Sequence, residues 1–332
     1  SALHPRYEAG QRETMLPVLA KRLFSLALAA RHARMGLNID AEEADRLDLS
    51  LDVIEKVLCE PELAGWDGFG VVVQAYGPRA PLVIDWLHAL AKRLDRGIMV
   101  RLVKGAYWDT EIKRAQVMGL AGYPVFTRKQ NTDVSYIACA KKLLGMTDRI
   151  YPQFATHNAH TVAAILAMGA DKESFEFQRL HGMGEALHEA VRKAEGTRCR
   201  IYAPVGAHSD LLAYLVRRLL ENGANSSFVH QIVDKAVSAE EIARDPFDAV
   251  AGQGAAANPA IPRPADIFGT ERRNSRGWDL TDTAMLAAVD ARRAQFAAPH
   301  GWHAGGNGRT RGIVNPARPQ DVVGEVAEAN AG

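Results

Sequence analysis

The stretch VRLVKGAYWDTE, Val100–Glu111, decides the fold because an apolar strand here runs directly into polar and aromatic residues. Its valines and leucine are typical of a buried strand, whereas Arg101 and Lys104 interrupt them. Period-two alternation places these two cations on opposite faces of the strand. In parallel α/β proteins the carboxyl ends of strands carry the functional site. The stretch therefore predicts a strand that ends at such a site.

Five other short apolar runs share this design, and each ends in polar residues: GLNID, GFGVVVQAY, YPQFATHN, FEFQRLHG and CRIYAPVG. Apolar residues at helical spacing fill the gaps between them, as in RLDLSLDVIEKVLCE and APLVIDWLHALAKRLD. Alternating strands and helices predict parallel pairing with right-handed crossovers. We therefore predict a (β/α)8 TIM-type barrel. No G-x-G-x-x-G motif follows any of these strands, which argues against a dinucleotide-binding doubly wound sheet.

The composition of the 332 residues is that of a globular protein, with 47% hydrophobic and 24% charged residues. The formal net charge of +1 gives no reason to expect nucleic-acid binding. No apolar run approaches the roughly 20 residues that span a bilayer. Cys59, Cys139 and Cys199 are far apart. Their spacing argues against a zinc site or a disulfide framework and favours a reducing, cytoplasmic location.

The helix-like segment after the last strand carries a second candidate site. In AHSDLLAYLVRRLLENGANSS, residues Tyr214, Arg217, Arg218 and Glu221 recur at helical spacing and share one face. Two adjacent arginines beside a tyrosine suit a small carboxylate, since guanidinium groups bind carboxylates bidentately. The alternative is a solvated helix face on which Glu221 pairs with an arginine one turn earlier.

Taken together, these segments resemble the proline dehydrogenase domain of the proline utilization A family. The members of that family are bifunctional bacterial flavoenzymes. The resemblance runs from Ser1 to about Asp234 and is carried by GLNIDAEEADRLDLSLD, RLVKGAYWDTEIKRAQ, YPQFATHNAHT, FEFQRLHGMGE and RIYAPVGAHSDLLAYLVRRLLENGANSSFV. It implies a proline dehydrogenase barrel over residues 1–235 that lacks its first strand and most of its second. The chain is therefore expected to be truncated at its N-terminus.

The C-terminal part resembles the beginning of the aldehyde-dehydrogenase module of the same family. RRNSRGWDLTD resembles the start of that module, and IVNPARPQDVVGEVAEA resembles its first strands. A segment rich in Gly, Ala and Pro precedes them. The expected organisation is thus a barrel over 1–235, a linker or arm over 236–275, and an N-terminal fragment of the module over 276–332. The NAD site of that module is not expected in this chain.

The resemblance implies oxidation of L-proline to Δ1-pyrroline-5-carboxylate, with FAD as the cofactor and a membrane quinone as the electron acceptor. The ring carbon next to nitrogen would give a hydride to flavin N5. The parent protein would also be an NAD-dependent Δ1-pyrroline-5-carboxylate dehydrogenase. No nucleic-acid partner is expected through this segment. Peripheral association with the membrane and a homo-oligomer of the full-length protein are both left open.

The resemblance also assigns site residues. Asp40 and Arg101 are the expected catalytic residues. Arg101 near flavin N5 would stabilise the anionic reduced ring, and Asp40 would orient or balance the arginines, with a general-base role as the alternative. The expected substrate-binding residues are Tyr107, Leu180, Tyr202, Tyr214, Arg217 and Arg218. The expected cofactor-binding residues are Gln74, Arg101, Val103, Lys104, Gly105, Ala106, Trp108, Thr127, Thr156, His157 and Glu221. Gly105 would let the flavin ring approach the backbone, and no metal ligand is expected.

Two other readings of the sequence stay open. Lys104 at a strand end suits a Schiff-base lysine in an aldolase-like barrel. Borohydride trapping with a carbonyl substrate distinguishes that chemistry from flavin chemistry. The other reading is an inactive structural fragment that serves as a scaffold for the second module.

Overall fold

The computed structural model describes residues 3–223, 238–296 and 306–330. The chain forms two compact units, Ser1–Gly277 and Trp278–Gly332. Within the described ranges, no helix is both long enough and apolar enough to cross a membrane.

A parallel sheet of six strands organises the first unit. In chain order the strands are β1 (Leu37–Ile39), β2 (Phe69–Gln74), β3 (Ile98–Val103), β4 (Ile150–Ala155), β5 (Glu176–Leu180) and β6 (Cys199–Tyr202). Each strand pairs with the next one along the chain, so the order in the sheet is the order in sequence. The sheet curls into a half-barrel, which confirms the predicted parallel α/β architecture for all six runs.

Helices alternate with the strands, and the first helix precedes β1. They are α1 (Arg12–His32), α2 (Leu47–Leu58), α3 (Ala80–Arg93), α4 (Trp108–Met118), α5 (Lys129–Leu144), α6 (Ala159–Ala167), α7 (Glu185–Glu195) and α8 (His208–Gly223). Helix α3 shows why they form: its buried positions Val83, Ile84, Leu87, Leu90 and Ala91 make one apolar stripe. Helices α3 and α5 pack on the central strands β2, β3 and β4.

The two faces of the sheet differ in chemistry. Strand β3 alternates buried aliphatic residues with partly buried ones, among them Arg101. On the helix-covered face, Phe154, Phe175 and Phe177 form a cluster with ring centroids 5.5 to 6.3 Å apart. Truncating such a buried phenylalanine to alanine costs about 3–5 kcal/mol. The opposite face, here called the concave face, carries Asn38, Arg101, Gln153, Glu176, Gln178 and Arg200.

The segment that the sequence predicts as a linker or arm contains two short helices, α9 (Ala239–Ile242) and α10 (Pro246–Ala251). Beyond them the chain is fastened to the first unit by hydrogen bonds. The backbone N–H of Asn258 donates to Thr127 Oγ1 at 2.8 Å, and Tyr123 Oη donates to the carbonyl of Pro262 at 2.5 Å. This part of the arm is therefore docked on the loops and helices that follow β3.

The second unit contains helix α11 (Thr283–Ala294) and an antiparallel hairpin of β7 (Thr310–Asn315) and β8 (Arg318–Ala327). Asp282 caps the helix, because its carboxylate accepts from the N–H groups of Ala284 and Met285. The hairpin falls on the segment that resembles the first strands of an aldehyde-dehydrogenase module. The assignment to that module, and the boundaries at 235 and 275, stay predictions.

Candidate active site

Arg101 is held from two sides on the concave face. Its Nε donates to Gln178 Oε1 at 2.7 Å, and its Nη1 donates to Asp40 Oδ1 at 3.1 Å. Its guanidinium carbon lies 5.1 Å from the centroid of the Tyr202 ring, within cation–π range. The geometry therefore brings together Asp40, Arg101 and Tyr202, which the resemblance assigned to one site. Two of the five guanidinium N–H donors are committed in these bonds.

Gln74 joins the segments that follow two different strands. Its Nε2 donates to the carbonyl of Glu42 at 2.8 Å, and its Oε1 accepts from the N–H of Ala106 at 3.3 Å. Glu111 makes a similar connection from α4, since its Oε1 accepts from the N–H of Ala44 at 2.6 Å. These bonds fix the loops after β1 and β3 around the carboxyl ends of the strands.

His157 presents a neutral imidazole at the end of β4. Its Nε2 accepts from the backbone N–H of Leu180 at 3.1 Å, so the ring proton lies on Nδ1. Burial, as the largest cause, together with the charges of His188, Arg218 and Arg179, lowers the pKa of His157 to about 4. At neutral pH this side chain is therefore an uncharged N–H donor.

Thr156 is buried beside His157, and its polar groups are used within the protein. Its carbonyl pairs with His188 Nε2 at 2.8 Å, and its Oγ1 accepts from the N–H of Asn158 at 3.2 Å. The expected cofactor residue Thr156 thus contributes both its carbonyl and its side-chain hydroxyl to hydrogen bonds just after β4.

Helix α8 brings a second cation to this end of the sheet. The guanidinium carbon of Arg218 lies 5.4 Å from the centroid of the Tyr214 ring. The charge of Arg218 also contributes to lowering the pKa of His157, the second residue after β4. The side chains of Arg217 and Glu221 lie outside the described residues. Of the predicted arginine pair, the structure therefore places only the side chain of Arg218.

Three residues that the resemblance assigned to the cofactor make contacts inside the protein. Lys104 is ion-paired with Asp133 of α5. Trp108 Nε1 donates to the carbonyl of Phe126 at 2.8 Å. Thr127 Oγ1 accepts from the arm, as described above. Because Asp133 belongs to α5, which packs on β3 and β4, its ion pair places Lys104 on the opposite side of the sheet from Arg101. Period-two alternation predicts this placement.

The backbone from Val103 to Tyr107 leads from β3 into α4. The carbonyls of Val103 and Lys104 accept from the N–H groups of Ala75 and Tyr76 at 2.8 and 2.7 Å. Gly105 has φ +138°, and a Cβ built on it would lie 2.3 to 2.6 Å from the Tyr76 ring. The packed ring of Tyr76 is thus a reason for glycine here that the sequence did not reveal.

A set of polar residues beneath Arg101 was not among the site residues that the resemblance assigned. Glu176 is 3% exposed and Gln178 is fully buried, and both face the concave side together with Gln153 and Arg200. The signal was present in FEFQ, where these polar residues alternate with phenylalanines. Within the described parts of the chain, no group of three or more His, Cys, Asp or Glu residues could hold a metal ion.

Comparison with known proteins gives a consistent family. The proline dehydrogenase family model matches residues 3–231. The bifunctional protein PutA of Klebsiella aerogenes is 53% identical over 99% of this chain and 27% of its own length. The chain therefore spans about a quarter of the length of such curated relatives.

Solved structures of proline utilization A share the fold. A mutant of the Bradyrhizobium japonicum protein is 55% identical, with a TM-score of 0.86 over 92% of this chain and 31% of that one. The Bdellovibrio bacteriovorus protein, inactivated by N-propargylglycine, is 30% identical, with a TM-score of 0.87 over 99% of this chain and 34% of that one. From the family match over residues 3–231 and these likenesses in sequence and fold, the chain belongs to the proline dehydrogenase family.

Proposed function

We propose that this chain provides the site for FAD-dependent oxidation of L-proline to Δ1-pyrroline-5-carboxylate, with a quinone as the electron acceptor. One observation carries the proposal: Arg101 is fixed between Asp40 and Gln178 at the carboxyl ends of the strands, in a chain of the proline dehydrogenase family. The relatives are named as bifunctional, which supports a second activity in the parent protein. From the resemblance, we assign it as an NAD-dependent Δ1-pyrroline-5-carboxylate dehydrogenase.

The donors at the strand ends fit a flavin ring. Arg101 supplies cationic N–H groups, Gln74 an amide, and His157 a neutral N–H. The carbonyl oxygens and N5 of an isoalloxazine ring accept such bonds. We assign the ring to these three residues, with Val103, Gly105, Ala106 and Thr156 as its backbone wall. The rest of the cofactor is assigned to Lys104, Trp108, Thr127 and Glu221. When bound, FAD supplies the two-electron acceptor.

The protein's own residues would bind and orient proline. Arg217 and Arg218 are assigned to its carboxylate, and the Tyr214 ring beside Arg218 holds that guanidinium in place. The ring of proline is assigned to a wall of Tyr107, Leu180, Tyr202 and Tyr214. The reaction removes a hydride from the carbon next to nitrogen and a proton from the nitrogen. Asp40 is 80% exposed and paired with Arg101, which supports a charge-balancing role for it.

The finer architecture is also proposed. Among the described residues, the six-stranded sheet begins at β1 and ends at β6, and the edge of a sheet is a template for further strands. We propose that such strands close the sheet into an eight-stranded barrel in the longer protein. We further assign 236–275 to a linker or arm and 276–332 to the start of an aldehyde-dehydrogenase module, in a cytoplasmic protein.

The Schiff-base alternative is less well supported. Such a lysine must react as a neutral amine, whereas the ion pair with Asp133 stabilises the ammonium form of Lys104. Borohydride with a carbonyl substrate should leave Lys104 unmodified, as mass spectrometry of its peptide would show.

The experiment uses the full-length protein that contains this chain. The purified protein should show a flavin spectrum, which bleaches when proline is added without oxygen, and the product should be trapped with o-aminobenzaldehyde. Arg218→Met should raise the KM for proline at least tenfold, while Arg192→Met on the exposed face of α7 should not. A protein that neither binds FAD nor oxidises proline would overturn the proposal.

A further inference from the structure

A buried carboxylate, Glu176, lies at the centre of the polar network on the concave face. Its Oε1 accepts from Gln153 Nε2 at 3.0 Å, Gln178 Nε2 at 2.7 Å and Arg200 Nε at 2.7 Å. Its Oε2 accepts from Arg200 Nη2 at 2.9 Å. The carboxylate is thus saturated by three side chains, which is how a buried charge is stabilised.

The strands themselves assemble this network. In the sheet, Arg101 is paired with Gln153, Gln153 with Glu176, and Gln178 with Arg200. Side chains at paired positions, and at positions two apart along one strand, share a face. The network is therefore built on rigid elements, which hold side chains more closely than loops do.

Glu176 decides which way two glutamine amides point. A carboxylate only accepts hydrogen bonds, so each glutamine must turn its NH2 group towards Glu176 and its oxygen away. The oxygen of Gln178 then accepts from Arg101 Nε at 2.7 Å. The oxygen of Gln153 accepts from Asn38 Nδ2 at 3.2 Å. One arm of the network leads to the candidate site, and the other leads to β1.

We propose that Glu176 is a positioning residue that acts through Gln178 to orient the guanidinium of Arg101. This inference rests on the proposed function, in which Arg101 lies against the flavin. With Nε held by Gln178 and Nη1 by Asp40, the plane of the guanidinium is defined. Without the bond to Gln178, the contacts left to Arg101 in the described part of the chain are with the Tyr202 ring and with Asp40, whose side chain is 80% exposed.

Arg200 completes the charge balance. The hydrogen bonds that Arg200 donates to Glu176 raise the pKa of the Arg200 guanidinium, and the Arg200 side chain is 60% exposed. The buried anion thus has its own cation at the edge strand β6. Arg101 contacts the amide of Gln178 and not the carboxylate of Glu176, which Arg200 neutralises. The positive charge of Arg101 can therefore act on the candidate site.

The test compares variants of the full-length holoprotein. Glu176→Gln allows the amide of Gln178 to turn over, and Gln178→Met removes its oxygen. Both should lower kcat for proline about 10- to 100-fold, the usual effect of losing an orienting partner. In equilibrium with a redox dye, both variants should also lower the ratio of reduced to oxidised flavin about tenfold. The reason is that a displaced Arg101 guanidinium stabilises the anionic reduced flavin less.

Two variants control for structural damage. Gln153→Met removes an amide that is buried like that of Gln178 and donates to the same carboxylate, Glu176. Gln153 lies on the arm of the network that leads to Asn38 and β1. Glu173→Gln breaks a surface pair with Arg198 just before β5. Both should keep kcat and the dye equilibrium within about twofold of the wild type. If Glu176→Gln does not fold, the comparison of Gln178→Met with Gln153→Met still decides the matter.

The outcomes separate the two proposals. If the wild type oxidises proline, and Gln178→Met leaves kcat and the dye equilibrium unchanged or shifts them no more than Gln153→Met does, the positioning role is wrong. If the wild type binds no flavin, the proposed function fails and this inference fails with it.

Discussion

Nε2 of His157 accepts a hydrogen bond from the backbone N–H of Leu180 at 3.1 Å and so ties the end of β4 to the end of β5. The bond requires an unprotonated Nε2. Burial, as the largest cause, lowers the pKa of His157 to about 4. The folded protein therefore favours the neutral ring.

We expect this histidine to make stability depend on pH. An unfolded histidine titrates near pH 6.5, so between about pH 4 and 6.5 the unfolded chain binds more protons than the folded one. The free energy of unfolding should fall as pH drops through that window and be unaffected by this group above it. Urea unfolding followed by tryptophan fluorescence at pH 4.5 to 7.5 measures the slope.

His157→Gln should flatten that slope, while His181→Gln, at an exposed position, should leave it unchanged. Part of the slope should persist in His157→Gln, because burial also lowers the pKa of His188. A variant slope equal to that of the wild type would contradict the assignment.

Arg101→Lys should show that the shape of the cation matters as well as its charge. A lysine keeps the charge but lacks the planar fork that donates to Gln178 and Asp40. We expect kcat/KM for proline to fall about 10²- to 10³-fold, the usual cost of losing one transition-state donor, with FAD content retained.

Steady-state assays with an artificial electron acceptor measure this effect. Arg149→Lys, which changes a surface pair with Asp95, is the matched control and should stay near wild type. An Arg101→Lys protein within threefold of wild type would exclude a role for the guanidinium geometry.

The sequence predicted the six strands well for a physical reason. Strands buried in a parallel sheet appear as short, nearly continuous apolar runs, and GFGVVVQAY became β2, Phe69–Gln74. Alternation within one strand also placed Arg101 and Lys104 on opposite sides. These features depend on neighbours in sequence, so the sequence alone carries them.

Contacts between strands could not be predicted in the same way. The place of Glu176 beside Arg200 and Gln153 depends on the register of three strands. Likewise, the resemblance assigned Gly105 to the cofactor, whereas the contact with the Tyr76 ring depends on how the segments after β2 and β3 pack.

Gly105→Ala should therefore destabilise the fold even without cofactor. The residue has φ +138°, which L side chains rarely adopt, and the new Cβ would overlap the Tyr76 ring. We expect a loss of about 1–3 kcal/mol in the free energy of unfolding. Gly122→Ala, where a Cβ would meet nothing within 4 Å, should be neutral. Equal unfolding midpoints in urea for the two cofactor-free variants would contradict this explanation.

Tyr136→Phe should weaken the junction of the sheet with α5. The hydroxyl of Tyr136 lies within hydrogen-bonding distance of the carbonyls of Leu102 and Ala155, at 3.1 and 3.2 Å, and the side chain is fully buried. Burial raises its pKa well above the ordinary value, so it acts as a neutral donor. In Tyr136→Phe, the buried carbonyls of Leu102 and Ala155 lose the hydrogen bond from this hydroxyl.

We expect Tyr136→Phe to lower the free energy of unfolding by about 1–2 kcal/mol, the cost of such an unpaired buried group. Tyr123→Phe is the matched control, since its hydroxyl also donates to a carbonyl, that of Pro262, but at an exposed position. Water can replace that bond, so its cost should be smaller. Urea unfolding of both variants makes the comparison, and equal losses would show that burial of the Tyr136 hydroxyl contributes nothing.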